Sequence, residues 1–168
     1  MQDIHIPNDA ELAAEVTELA SRLTRLGWTL STAESCTGGW IAKCCTDRAG
    51  SSAWFERGFV TYSNEAKHEM LGVDEIDLEK AGAVSREAAR QMAGGAQSMA
   101  GTDVAVAVTG IAGPDGGTAD KPVGTVWFAW SIRGSSEEEL KQFPGDREAI
   151  RRLTVSHALK GLINRLPG

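Results

Sequence analysis

A single α/β domain, with helices covering both faces of a mixed central sheet, is predicted by three features of this chain. Helical and extended signals alternate along its length without internal repeats or low-complexity stretches. The run Val104-Ala105-Val106-Ala107-Val108 is apolar on both faces, the pattern of a strand buried in the middle of a sheet. A length of 168 residues with 42% hydrophobic content suffices for one well-buried core and leaves no room for two large domains. The domain is expected to span residues 1–168, with 1–8 as a flexible N-terminal extension.

In chain order, Leu12, Val16, Leu19, Leu23 and Leu26 step by four and three along one helical face that Gly27 ends. The same spacing suits a partner helix, but its short span favours a helix packed on its own sheet. Trp28 to Ala33, rich in Trp, Thr and Leu, reads as a strand, and Trp40, Ile41, Cys44 and Cys45 then recur at helical spacing. A turn at Gly50-Ser51-Ser52 leads into a strand from Phe55 to Tyr62 and a short helix from Ser63 to Leu71, closed by Gly72. Asp74 to Lys80 adds a helical turn. Ser85 caps a helix carrying Ala88, Met92, Ala96 and Met99, in which Gly94 and Gly95 either weaken the helix or admit a close neighbour. After the Val104–Val108 strand, Val123 to Ile132 forms a second long strand. Glu139 to Phe143 reads as an edge strand stopped by Pro144. Asp146 caps a last helix through Ile150, Leu153, Val155, Leu159 and Leu162.

Composition narrows the function. A net charge of −6 argues against a nucleic-acid partner, although local arginines and backbone N–H groups can still hold a small anion. No run of about 18 apolar residues is present, so no membrane span is expected. Met1-Gln2-Asp3-Ile4-His5 lacks the basic start and apolar core of a signal peptide. Three cysteines without a C-x-x-C pair point to reduced thiols in a cytoplasmic protein, with Cys44-Cys45 as packing residues. Asp115 and Asp120 form no metal-ligand pattern with a histidine, and neither a metal nor a cofactor is expected.

Chemistry concentrates at Thr32-Ala33-Glu34-Ser35-Cys36-Thr37-Gly38-Gly39-Trp40. A serine at such a strand-to-helix turn points its hydroxyl at the end of the sheet. The N–H groups of Thr37, Gly38 and Gly39 follow, free to bind an anion or a developing oxyanion. Against this stands the plain alternative that Ser35 or Thr37 caps the helix and the glycines only make the turn. A second candidate is Thr109-Gly110-Ile111-Ala112-Gly113-Pro114-Asp115-Gly116-Gly117-Thr118, which leaves the C-terminal end of the central strand, where open α/β sheets bind ligands. It is neither a Walker loop nor G-x-G-x-x-G, and its glycines serve close backbone approach to a ligand or a succession of tight turns.

Tyr62 and Lys67 form a third element. Lys67 lies near the start of its helix, where the dipole and exclusion of water both favour a neutral amine able to act as a general base. Tyr62, the one tyrosine of the chain, relays or orients that proton. The alternative is a solvated lysine and a half-buried tyrosine. His5, His68 and His157 do not make a conventional triad. A Cys36–His68 dyad is conceivable, but Cys36 reads better as a small core residue. Arg147, in Phe143-Pro144-Gly145-Asp146-Arg147-Glu148, either joins a helix N-terminus in clamping a phosphate or points outward as a solvated charge.

Taken together and in order, Thr32–Gly39, Gly58-Phe59-Val60-Thr61-Tyr62-Ser63-Asn64, Gly110–Gly117, Pro122-Val123-Gly124-Thr125-Val126 and Gly145-Asp146-Arg147 resemble the CinA C-terminal-domain family, over nearly the whole chain from Leu12 to Leu162. Stand-alone bacterial members of that family are nicotinamide-nucleotide amidases. The resemblance implies a three-layer α/β/α fold and hydrolysis of the nicotinamide mononucleotide carboxamide to nicotinic acid mononucleotide and ammonia, in pyridine-nucleotide salvage. It also implies a serine-lysine-tyrosine catalytic group, which falls on Ser35, Lys67 and Tyr62. N–H groups near Cys36 and Thr37 are the expected oxyanion hole. Substrate binding is expected from Cys36, Thr37, Gly38, Gly39, Thr109, Gly110, Gly113, Gly117 and Arg147. The expected partner is a small nucleotide substrate, and a homo-oligomer, favouring a dimer, is expected. A nucleotide-binding module without turnover and a Cys36-dependent hydrolase remain as alternatives, and whether Tyr62 or Lys67 is the immediate base stays open.

Overall fold

The computed structural model describes residues 3–168. Helix α1 (Asp9–Leu26) begins with a capping box, in which Asn8 accepts from the Glu11 N–H and Glu11 reaches back to the Asn8 N–H. It ends at Gly27 in the left-handed conformation. The remaining elements are β1 (Leu30–Glu34), α2 (Trp40–Asp47), a short 3-10 turn (Ser51–Ala53), β2 (Phe55–Val60), α3 (Asn64–Leu71), α4 (Glu75–Ala81), α5 (Arg86–Ala100), β3 (Val104–Gly110), β4 (Thr125–Ile132), β5 (Ser135–Gln142) and α6 (Arg147–Arg165). Ser63, Asp74, Ser85 and Asp146 cap α3, α4, α5 and α6 with their side chains.

The five strands are ordered β2-β1-β3-β4-β5. β1 runs parallel to both β2 and β3, whereas β4 and β5 are antiparallel additions, so the sheet is mixed. Side-chain alternation along β3 sorts the layers. Val104, Val106 and Val108 face a core with Leu12, Leu19, Ile41, Phe128, Trp130 and Leu159, beneath α1, α2 and α6. Ala105 and Ala107 face the other core, with Ala89, Met92, Ala93 and Ala96 of α5 and Leu71 and Leu78 of α3 and α4. The expected helices on both faces are present.

Several boundaries differ from the sequence expectations for physical reasons. The N–H of Trp28 closes the end of α1 by donating to the Leu23 carbonyl, so the first strand starts at Leu30. β5 starts at Ser135 and ends at Gln142, because pairing with Ile132 and Ser131 recruits Ser135 and Ser136, residues with no strand preference of their own.

The crossovers on either side of β1 lie on opposite faces of the sheet: α2 leads from β1 to β2, and α3 to α5 lead from β2 back across to β3. The C-terminal end of β1 is therefore a topological switch point, the place where an open α/β sheet leaves a crevice.

The close approach that the sequence allowed for in α5 occurs at Gly95 and not at Gly94. A Cβ on Gly95 would fall on the Leu71 carbonyl, whereas one on Gly94 would meet nothing. Gly95→Ala is therefore expected to destabilise the fold by about 1–3 kcal/mol through overpacking, and Gly94→Ala to be neutral or to stabilise it by up to about 1 kcal/mol through helix propensity. Urea unfolding of the two variants checks this, and equal midpoints would contradict it.

Candidate active site

At the switch point the chain leaves β1 at Glu34. Ser35 stays tied to the sheet through its N–H, which donates to the Val108 carbonyl at 3.1 Å. Two tight turns follow, with Gly38 N–H donating to Ser35 O and Trp40 N–H to Thr37 O, both at 3.1 Å. Gly38 and Gly39 adopt φ of 61° and 100°, a region that favours glycine.

Helix α2 has no capping side chain at its N-cap, Gly39. Its cap comes from Glu34, which is 0% exposed and lies beneath the turn. Glu34 Oε1 accepts from the Ile41 N–H at 2.8 Å and from the Thr37 hydroxyl at 2.6 Å, and Oε2 accepts from the Ala42 N–H at 3.1 Å. Burial pushes the Glu34 carboxyl up, and the hydrogen bonds from Thr37 and the amides of Ile41, Ala42 and Gly39 oppose that shift. The expectation that the Gly38 and Gly39 N–H groups are free for an anion is thus corrected. The first is held by Ser35 O, the second faces Glu34, and the carboxylate already occupies the positive end of the helix.

Lys67 reaches the same place from α3. Its side chain is 1% exposed, and Nζ lies 2.9 Å from Ser35 Oγ, 2.9 Å from the Thr61 carbonyl and 3.1 Å from the Tyr62 carbonyl. Burial lowers its pKa from an ordinary 10.5 to about 8. Carbonyls only accept, so a neutral amine gives its two N–H groups to Thr61 and Tyr62, and its lone pair faces the serine hydroxyl. This is the geometry of a base next to a nucleophile.

Ser35, Cys36, Tyr62, Lys67, Thr109, Gly110 and Arg147 converge on one cleft of about 250 Å³, near the small end of ligand sites (about 300–1,000 Å³). Tyr62 contacts Lys67 through its carbonyl, and its side chain, 65% exposed, stands at the rim. Cys36 is buried, and desolvation, reinforced by Glu34, pushes its thiol up to about 12, which keeps it protonated. Thr109 Oγ1 donates to the Ala83 carbonyl at 2.8 Å, and Arg147 Nη1 to the Gly113 carbonyl at 2.7 Å.

Other expected residues lie outside this cleft. Thr37, Gly38 and Gly39 open onto a neighbouring cleft with Trp40, Arg151 and Arg152. Gly113 and Gly117 pack against Val123, where a Cβ on either would collide. His68 Nδ1 lies 2.8 Å from the Val73 carbonyl, and His157 sits among Phe128, Trp130 and Phe143, so neither faces Ser35. Among the described residues no group of three or more His, Cys, Asp or Glu side chains is placed to hold a metal ion, and no helix is long and apolar enough to cross a membrane.

Sequence reasoning missed three contributions. Ala83 and Val84, between α4 and α5, form one wall and carry no signal of their own. The Thr61 carbonyl is a backbone group. Glu34 was legible in principle, as an acid one residue before the candidate nucleophile and ahead of a helix whose N-cap is a bare glycine.

The CinA C-terminal domain family model matches residues 12–166. The chain belongs to this family. It is 60% identical over 135 residues to a protein of Enterobacter agglomerans named nicotinamide-nucleotide amidohydrolase PncC, covering 80% of this chain and 82% of that one. The Escherichia coli K12 protein of the same name is 54% identical over 155 residues, covering 92% and 94% of the two chains. Among solved structures, the competence/damage inducible protein CihA of Agrobacterium tumefaciens superposes with a TM-score of 0.90 at 47% identity, covering 96% of this chain and 98% of that one. The family resemblance carried by the ordered motifs is thereby established.

The lowered pKa of Lys67 has a stability consequence. Between about 8 and 10.5 the unfolded chain binds more protons at this lysine than the folded one, so its contribution to stability rises with pH across that window. Below about 8 the folded protein bears the full cost of a buried ammonium. Lys67→Met is expected to remove this rise, so that the difference in unfolding free energy between variant and wild type shrinks from pH 8 to pH 10. Urea unfolding at the two pH values checks it, and a pH-independent difference would place the amine in water.

Proposed function

We propose that the protein hydrolyses the carboxamide of nicotinamide mononucleotide, giving nicotinic acid mononucleotide and ammonia in pyridine-nucleotide salvage, through an acyl-enzyme on Ser35. An amidohydrolase activity is what the curated relatives at 54–60% identity are named for. The observation that carries the mechanism is the 2.9 Å contact between Lys67 Nζ and Ser35 Oγ, with the other hydrogen-bonding directions of the amine taken by carbonyls.

Neutral Lys67 accepts the Ser35 hydroxyl proton as the oxygen attacks the carboxamide carbon. The developing oxyanion is received by the N–H groups of Cys36 and Thr37, neither of which donates to a backbone carbonyl among the described residues. Collapse of the tetrahedral intermediate breaks the C–N bond, and the proton held by Lys67 leaves with ammonia. Water, deprotonated by the same amine, then cleaves the acyl-serine ester and restores the hydroxyl. Lys67 is the immediate base, and Tyr62 orients it through its carbonyl while its ring borders the substrate. A Cys36-dependent reaction is disfavoured by a thiol held at about 12.

Ser35→Ala is expected to lose at least about 1,000-fold in kcat, and Cys36→Ala to keep most of its turnover. Ammonia release from nicotinamide mononucleotide measures both. An active Ser35→Ala enzyme, or mass added at Cys36 during turnover, would refute the assignment. Lys67→Arg should be as inactive as Lys67→Met, since a guanidinium does not give up its proton. In the wild type, kcat should rise with pH through a midpoint near 8 as the amine becomes neutral.

The phosphate of the substrate is read by Arg147, at the start of α6 beside the glycine-rich loop. Its guanidinium spends one bond on Gly113 and remains exposed. Arg147→Ala should raise KM for the mononucleotide with little change in kcat, and nicotinamide riboside should be a far poorer substrate. Equal kcat/KM values for nucleotide and riboside would count against a phosphate-reading site.

A further inference from the structure

Arg151 lies one helical turn beyond Arg147 on α6 and does not face the Ser35 cleft. Its guanidinium instead reaches the back of the nucleophile turn, where Nε donates to the Cys36 carbonyl and Nη2 to the Thr37 carbonyl, each at 3.1 Å. The ring of Trp40 lies 5.4 Å from the same guanidinium.

A trans peptide unit is planar, with its carbonyl and its N–H pointing in opposite directions. Fixing the Cys36 carbonyl toward Arg151 therefore fixes the Thr37 N–H away from it. The Ser35–Cys36 peptide is held independently, through the Gly38 N–H on the Ser35 carbonyl. The Cys36–Thr37 peptide has Arg151 as its side-chain anchor. We infer that Arg151 is a positioning residue, which sets the plane of the Cys36–Thr37 peptide so that the Thr37 N–H is aimed at the oxyanion formed on attack by Ser35. The inference rests on the serine acyl-enzyme proposed above.

The planar fork is what the role requires. A guanidinium spans two successive carbonyls with fixed geometry, whereas a lysine ammonium supplies the charge without the spacing. The two explanations of Arg151, aim or charge, thus separate in one substitution. If Arg151 attracted the substrate phosphate, the effect of its loss would fall on KM and lysine would restore it. If it aims an N–H, the effect falls on kcat and lysine does not restore it, because the donor matters only where charge develops.

The experiment measures kcat and KM for nicotinamide mononucleotide with wild type, Arg151→Lys, Arg151→Ala and Ser35→Ala, each checked for folding by its circular-dichroism melt. Arg151→Lys is expected to lose about tenfold to a hundredfold in kcat, with KM within about twofold of wild type. Its kcat–pH midpoint should not move, since Arg151 does not contact Lys67. Added ethylguanidinium should restore part of kcat to Arg151→Ala, and this arm decides the question if the lysine variant fails to fold. A raised KM with kcat intact, wild-type constants in Arg151→Lys, or no rescue of a folded Arg151→Ala would overturn the assignment. An active Ser35→Ala would instead remove the acyl-enzyme on which it rests, whatever Arg151 does.

Discussion

Lys67 carries its amine to a buried position on the wall of the cleft, where three oxygens surround it: two backbone carbonyls just beyond the end of β2 and the hydroxyl of Ser35. Each surrounding feature serves that placement. The carbonyls of Thr61 and Tyr62 are available because β2, as an edge strand, ends at Val60 and the chain turns away before α3. Ser63 caps that helix, so that Lys67 stands on its first full turn and points back toward the sheet. Burial without a carboxylate partner makes the neutral form accessible, because a nearby anion would have held the proton on.

The second buried ionisable group, Glu34, does the opposite work. It accepts hydrogen bonds from the Ile41 and Ala42 amides, taking over a helix terminus that in many α/β proteins receives a phosphate. The start of α6, where Arg147 donates to the Gly113 carbonyl of the glycine-rich loop, has no such carboxylate beneath it but the side chain of Asp146 at its N-cap. The serine is left between a carboxylate that organises the turn and an amine that faces its hydroxyl.

How much of this was legible in the sequence varies with the range of the cause. The stripe Leu12, Val16, Leu19 and Leu23 announces α1, and all four side chains are buried, because helix amphipathicity is a local property. The β3 run declares a central strand for the same reason. The valine side and the alanine side differ in what they bury, which follows only from where α5 lies. The first residues of β5, Ser135 and Ser136, become a strand through pairing with β4, and no local preference marks them. Ser35 and Lys67, 32 residues apart, are linked in the sequence by the ordered motifs alone, and their contact by the fold. Glu34 escaped notice because a helix cap is expected at the N-cap itself, and here it arrives from the preceding strand. The Gly39 N–H was misjudged for that same reason, and the Gly38 N–H because a tight turn closes it onto the Ser35 carbonyl.

The two outer strands leave unpaired backbone edges, and their sequences bear on what those edges can recruit. β5 carries Glu137, Glu138, Glu139 and Lys141 within eight residues, and β2, only six residues long, carries Glu56 and Arg57. Charges of this density make it costly for a second strand to add on and extend the sheet from molecule to molecule. A fold whose middle strands are almost wholly buried thus has borders that discourage aggregation, so that a high concentration of the chain need not turn its sheet into a template for fibres.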